Sequence, residues 1–137
     1  MPGTELQRIL YVEDDPDIQT VAAIALEVVG GFLLKPCSSG AEALAAAPGF
    51  DADLILLDVM MPAMDGPTTL ARLRGLAPCA DTPVIFMTAK VQESEMAFYR
   101  SLGAIGVIAK PFDPMQLANQ VRALWQQWRA RPLPAAT

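Results

Sequence analysis

The sequence predicts an α/β domain built on a doubly wound, five-stranded parallel sheet, and three observations carry that prediction. Short apolar runs alternate with stretches of helical periodicity along the whole chain. The third and fourth runs, Asp53 to Leu57 and Val84 to Met87, are almost continuously apolar, as strands covered on both faces should be. The runs also stop on polar side chains at one end: Glu13 and Asp14 after the first, Asp58 after the third, Thr88 after the fourth and Lys110 after the fifth.

Each element has its own local reason. Ile9-Leu10-Tyr11-Val12 is a β-prone run that ends abruptly in Glu13-Asp14-Asp15. Asp15-Pro16 reads as a helix start, because Asp accepts a backbone N–H as N-cap and Pro suits the first helical position. Ile18, Val21, Ala22, Ala25 and Val29 follow at helical spacing, and Gly30-Gly31 stops the helix. Phe32 to Cys37 reads as a second strand, placed at a sheet edge because Pro36 cannot donate to a ladder. Ser39 caps an Ala-rich helix over roughly 40–47, closed by Pro48-Gly49. Pro67 opens a helix to about Leu76, with Pro78 in the loop beyond, and another helix covers about 92–102. Ile105 to Ala109 is the fifth strand. The last helix runs from Asp113 or Pro114 to about Arg129, and Pro132-Leu133-Pro134 ends order. No linker or repeat divides the chain. The expected organisation is a lead over 1–7, one domain over 8–130 and a flexible tail over 131–137.

Composition bounds the function. The chain has 137 residues and a 53% apolar fraction, enough to bury roughly 68% of the unfolded surface without staples. A net charge of −5 argues against a nucleic-acid partner, since phosphate backbones need clustered Lys and Arg. The chain contains no histidine, which excludes His-dependent triads, His-ligated zinc and the histidine end of a phosphoryl relay. Cys37 and Cys79 form no CxxC pair and read as reduced, partly buried thiols. Met1 to Arg8 has no apolar signal core, and Val21 to Leu34 is interrupted by Glu27 and shorter than a membrane span. A soluble, cytoplasmic protein without a membrane partner is expected.

In open parallel sheets, ligands bind beyond the carboxyl ends of the strands, where these polar residues gather. Three carboxylates held together either raise a pKa or bind a cation. All-oxygen ligation selects a hard divalent ion, Mg²⁺ or Mn²⁺, whose shell phosphate oxygens complete. A carboxylate can also attack phosphorus, with an ammonium and a hydroxyl holding the phosphoryl oxygens. One carboxylate accepting, two anchoring metal, Lys110 pairing with charge and Thr88 donating a hydrogen bond make the parts for phosphoryl capture.

These residues bring out a resemblance to the response-regulator receiver domain of the two-component family, of the single-domain, chemotaxis-regulator-like type, over about residues 8–129. It rests on Ile9-Leu10-Tyr11-Val12-Glu13-Asp14-Asp15, Leu56-Leu57-Asp58-Val59-Met60-Met61-Pro62 with Asp65-Gly66, Met87-Thr88-Ala89, Gly103-Ala104 and Lys110-Pro111-Phe112. The resemblance implies a flavodoxin-like strand order 2-1-3-4-5, with Asp58 as phosphoacceptor and metal ligand. Asp14 would bind the metal directly, Glu13 through a water, and Met60 by its backbone carbonyl. Aligning the acidic turn leaves Glu13/Asp14 or Asp14/Asp15 as the pair; the first is preferred because Asp15 already caps a helix. Thr88 and Ala89 would follow the phosphoryl group, Lys110 would pair with it, and the Lys110-Pro111 bond would be cis.

Receivers place an aromatic residue three before that Lys; here Val107 stands there, β-branched and stiff, so the signal must be routed differently, for example by shifting the 92–102 helix. Met60 and Lys90 occupy the positions that tune dephosphorylation, and neither orients an attacking water, which implies a long-lived phosphoryl-aspartate. Asp15 and Asp65 read as cap and turn residues, Met60, Met61 and Met64 as packing, and Glu93 and Glu95 as exposed helix charges.

The expected function is a stand-alone regulator, not a turnover enzyme on a small molecule. It would take phosphoryl from a histidine kinase or histidine phosphotransfer protein, docked beside the first helix, and act on an unidentified downstream protein or pass the phosphoryl on. Trp125 and Trp128 stand three apart on the last helix; core packing readily explains one of them, and the pair suggests a partner or homodimer surface. The competing reading is an adaptor that ignores phosphorylation. A haloacid-dehalogenase-like phosphatase is disfavoured because Met60 stands where that family has a second Asp, and a flavin binder because no phosphate loop follows Val12.

Overall fold

The computed structural model describes residues 5–131. Five parallel strands form one sheet: β1 (Arg8–Val12), β2 (Leu33–Cys37), β3 (Leu54–Asp58), β4 (Val84–Thr88) and β5 (Gly106–Ala109), in the order β2-β1-β3-β4-β5. The helices are α1 (Pro16–Ile24), continued by a π-helical turn over Ala25–Val29, then α2 (Gly40–Phe50), α3 (Gly66–Arg74), α4 (Glu93–Ser101) and α5 (Leu117–Ala130). A 3₁₀ turn, Ala77–Cys79, holds Pro78 where an open loop was expected. The predicted fold and strand order are those observed. The edge position of β2 explains its proline: Pro36 lies opposite Tyr11 of β1 and has no second neighbour to supply.

Strand alternation divides the core in two. On one face Tyr11, Leu56, Met87 and Ile108 pack beneath α1 and α5. On the other, Val12, Leu57 and Phe86 pack against Ala43 and Ala47 of α2, Leu70 and Leu73 of α3, and Tyr99 of α4. Cys37 and Cys79 are free and fully buried.

Four local expectations are corrected. The first helix does not bury the stripe its spacing suggested: Val21 and Val29 are exposed, while Ala22, Ala25 and Leu26 are buried. The π turn, with Gly30 N–H bonded to the Ala25 carbonyl at 3.0 Å, changes the helical phase and turns Val28 outward to 77% exposure. The second helix runs through Pro48 to Phe50 and ends on left-handed Asp51 (φ 60°). Proline in the last turn forgoes one helical bond, and the extra residues carry Phe50 to Arg8, whose guanidinium stacks 4.4 Å from the ring centroid and bonds the Phe50 carbonyl. The last helix begins at Leu117, because Asp113 closes a separate turn first, its carboxylate accepting the Met115 N–H at 2.9 Å.

The fourth correction concerns the tryptophans. Trp125 is 4% exposed and belongs to the core with Leu117, Ala118 and Val121 of the same helical stripe, so it offers no partner surface. Trp128 is half-buried and packs against that core, with the Arg131 guanidinium 4.3 Å from its ring centroid. Residues 1–4 of the expected lead and 132–137 of the expected tail lie outside the described residues. Among the described residues no helix is long and apolar enough to cross a membrane.

Candidate functional site

The alternation that builds the core also aims the charges. Glu13 follows Tyr11 by two residues, Asp58 follows Leu56 and Lys110 follows Ile108, so all three continue the parity of the α1/α5 face at the carboxyl edge of the sheet. Lys110 Nζ lies 2.6 Å from Glu13 Oε1 and 2.7 Å from Asp58 Oδ1. One ammonium therefore bridges two buried carboxylates. Asp14, half-buried, completes a cluster in which Glu13, Asp14 and Asp58 each offer an oxygen, all within 4.8 Å of one another. Glu13, Asp14, Asp58, Met60, Thr88, Ala89 and Lys110 line one cavity of about 320 Å³, together with Asp15 and Ile18.

The turn after β1 is held by its own side chains. Asp15 Oδ1 accepts the N–H groups of Asp17 and Ile18 at 2.9 and 3.2 Å, which is the predicted helix cap and leaves Glu13 and Asp14 as the inward pair. Gln19, which no sequence pattern singled out, donates from Nε2 to the carbonyls of Glu13 and Cys37, each at 3.0 Å. After β3 the chain turns sharply. Gly66 donates to the Val59 carbonyl at 2.8 Å, and a Cβ there would fall 2.5 Å from the Asp58 carbonyl oxygen, so only glycine lets α3 start this close to the strand end. Ala63 takes a positive φ of 66° in the same loop, a conformation sequence reading had no means to assign. Asp65, read as a turn residue, is the N-cap of α3. The Lys110-Pro111 peptide bond is cis.

Electrostatics follow from burial. Burial pushes the Glu13 carboxyl up to about 7, against the Lys110 hydrogen bond that pulls it down. Burial likewise raises Asp58, opposed by Lys110. For Lys110 burial alone would favour the neutral amine, but Asp58 and Glu13 outweigh it and raise its pKa. The ammonium of the bridge thus stays charged. The donor set suits a hard divalent cation: three carboxylate oxygens, no nitrogen and no sulfur. The Thr88 hydroxyl is buried and accepts the Lys90 N–H at 3.0 Å, leaving its own hydrogen free to donate into the cavity.

Of the remaining candidates, Lys90 and Val107 lie outside that cavity. Lys90 is exposed and lines a neighbouring cavity of about 350 Å³ with Ala89, Val91, Gln92 and Glu95. Glu95 is not an exposed helix charge: it is half-buried, and its Oε2 has no partner among the described residues. Met60 is not a packing residue, being 63% exposed at the cavity mouth. Val107 is half-buried, lies opposite Phe86 in register, and packs with the α2/α3/α4 face away from the ion pairs.

The profile of the response regulator receiver domain family matches residues 9–122. Among curated proteins, the DNA-binding dual master transcriptional regulator RpaA of Synechocystis sp. is 37% identical over 121 residues, covering 87% of this chain and 49% of that protein. The DNA-binding response regulator MtrA of Mycolicibacterium smegmatis is 35% identical over 120 residues, covering 88% of this chain and 51% of that one. The chain spans about half the length of the curated relatives it matches. Among solved structures, the chemotaxis response regulator CheY4 of Vibrio cholerae is similar with a TM-score of 0.79 at 27% identity, over 87% of this chain and 98% of that one. The receiver domain of the sensor histidine kinase PA1611 from Pseudomonas aeruginosa has a TM-score of 0.75 at 28% identity, over 89% of this chain and 96% of that one. That structure has a magnesium ion coordinated in its active site cleft.

Proposed function

This chain belongs to the response regulator receiver domain family, and we propose that it accepts a phosphoryl group on Asp58 from a histidine kinase or a histidine phosphotransfer protein. The observation that supports this best is the Asp58 carboxylate itself, buried, 2.7 Å from Lys110 Nζ and within 4.8 Å of the oxygens of Glu13 and Asp14. An Asp58 oxygen forms the new O–P bond as the N–P bond to the donor imidazole breaks, and the departing nitrogen keeps the electron pair. Lys110 opposes the burial that favours the neutral Asp58 carboxyl, then pairs with the phosphoryl oxygens. Thr88 donates its free O–H to another of them. Glu13, Asp14, Asp58 and the Met60 carbonyl would hold Mg²⁺ or Mn²⁺, which supplies neutralisation of the phosphoryl charge when bound.

The donor would dock over α1 beside the site, where Ile18, Val21, Pro111 and Phe112 line an apolar cleft of about 270 Å³. We place the protein in the cytoplasm, as a signalling module and not a turnover enzyme. With a net charge of −5 its output is contact with a further protein, including a second copy of itself, or onward phosphotransfer. Exposed Met60 and Lys90 supply no group to orient an attacking water, which favours a long-lived phosphoryl-aspartate. A second reading, an adaptor indifferent to phosphorylation, is favoured by Val107 alone. Intact mass after exposure to Mg²⁺ and acetyl phosphate separates the two. One phosphoryl group on the wild type, absent with EDTA and absent in Asp58→Asn, is the expected outcome; no adduct under any condition would leave the adaptor.

A further inference from the structure

The two carboxylate residues of the β1–α1 turn lie beyond the last register pair of β1, so the sheet reaches them only at the Glu13 N–H. Val12 and Cys37 form the final register pair of β1 and β2. One more main-chain bond, Glu13 N–H to the Cys37 carbonyl at 3.0 Å, extends that ladder. The Glu13 carbonyl belongs to the peptide unit that joins Glu13 to Asp14, and its orientation sets where the Asp14 side chain points. Asp15 N–H reaches Glu13 Oε2 only at 3.3 Å, a weak restraint. What holds this peptide plane is the half-buried Gln19 amide, whose two hydrogens serve the Glu13 and Cys37 carbonyls at 3.0 Å each, with Ser38 Oγ at 3.5 Å.

We infer that Gln19 is a positioning residue for the divalent cation: its amide clips the Glu13–Asp14 peptide to the end of β2 and so pre-orients both carboxylates. This rests on the reading of the acidic cluster as a cation site. Gln19 does not line the cavity that holds the carboxylates and acts through the main chain. Without the clip the peptide can rotate, the two carboxylates lose their common aim, and binding must restore the geometry at its own cost. Once the cation is bound that geometry is enforced, so the loss belongs to metal affinity and not to chemistry at saturation.

The test measures Mn²⁺ binding to the full chain by water-proton relaxation, and acetyl phosphate-driven phosphorylation as a function of Mg²⁺. Gln19→Met keeps the side-chain length and removes the donor; Gln19→Ala repeats the test with no bulk to accommodate. Thr20→Val is the control, since it removes a neighbouring bond of the same helix, Thr20 Oγ1 to the Pro16 carbonyl at 2.8 Å, without touching the turn. Expected is a rise of about five-fold or more in the Mn²⁺ Kd for both Gln19 variants, with the phosphorylation rate at saturating Mg²⁺ within about two-fold of wild type. Thr20→Val should leave both unchanged. A Kd within about two-fold of wild type in the Gln19 variants, an equal loss in Thr20→Val, or a rate that saturating Mg²⁺ does not restore would overturn the role of Gln19. A wild type that binds no Mn²⁺ would instead overturn the cation site.

Discussion

At the acidic edge of the sheet, Lys110 holds Glu13 and Asp58 at 2.6 and 2.7 Å, Asp15 caps α1 and Gly66 brings α3 against the end of β3. On the α4 side, a helix of nine residues buries only Tyr99, which meets Phe86 with ring centroids 5.3 Å apart. The same sheet carries both regions. At the first, charges taken out of water are tolerable only when paired, so each partner fixes the next. At the second, Tyr99 alone of the helix is fully buried, its neighbour Phe98 is exposed, and Val107 adds no aromatic bulk beneath the helix. The contrast sets a region locked by paired charges beside one held by few buried contacts. Elements with few buried contacts are the ones that open most readily.

The largest expected effect breaks the tight end. Lys110→Ala leaves two buried carboxylates without their cation and should cost about 4 kcal/mol in the metal-free protein, read from urea denaturation; Mg²⁺ should recover much of that loss because the cluster becomes more negative. A cost below about 1 kcal/mol would mean that the bridge is not what holds this edge. Tyr99→Ala should cost about 3 kcal/mol, and hydrogen exchange should show α4 amides losing protection while β1 and β3 keep theirs. Uniform loss across the domain would erase the contrast between the regions.

Acidity offers a gentler probe. The folded protein keeps the Glu13 proton up to about 7, whereas an ordinary glutamate releases it near 4.5. The folded state therefore binds more protons in that window, and metal-free stability falls as pH rises through it. Burial raises Asp58 in the same direction. Thermal unfolding across the window should show this slope, and Glu13→Gln should flatten it; an unchanged slope would assign it to other groups. The smallest effect is at Ala63, whose positive φ of 66° suits glycine. Ala63→Gly should gain about 0.5 kcal/mol, the left-handed strain relieved less the added chain entropy, visible as a higher denaturation midpoint.

Much of this site was legible in the residues because strand alternation is local. Glu13, Asp58 and Lys110 sit two positions beyond Tyr11, Leu56 and Ile108, and apolar runs that stop on polar side chains announce a ligand edge without any coordinates. Asp15-Pro16 and Ser39 marked helix starts for the same reason: a cap satisfies N–H groups within three residues. Most of the misses were non-local. Pro48 looked like a stop until Phe50 had Arg8 to pack against. Val29 fitted a helical stripe that the π turn rotated away. Trp125 resembled a surface aromatic because the core stripe of α5 is defined by what lies beneath it. Gln19 gave no hint, since an amide on an amphipathic helix is unremarkable until two carbonyls face it.

The sequence by itself determined the alternation of strands and helices, the edge position of β2 and the set of polar residues at the strand ends, because propensity, period and capping act between neighbours. Only the tertiary structure decided which charges pair. Lys110 stands 97 residues from Glu13 and 52 from Asp58, and the strand order β2-β1-β3-β4-β5 brings the three together on one face. Burial there turns ordinary side chains into an ion-paired cluster, because the energy of a charge depends on the medium and partners that folding places around it.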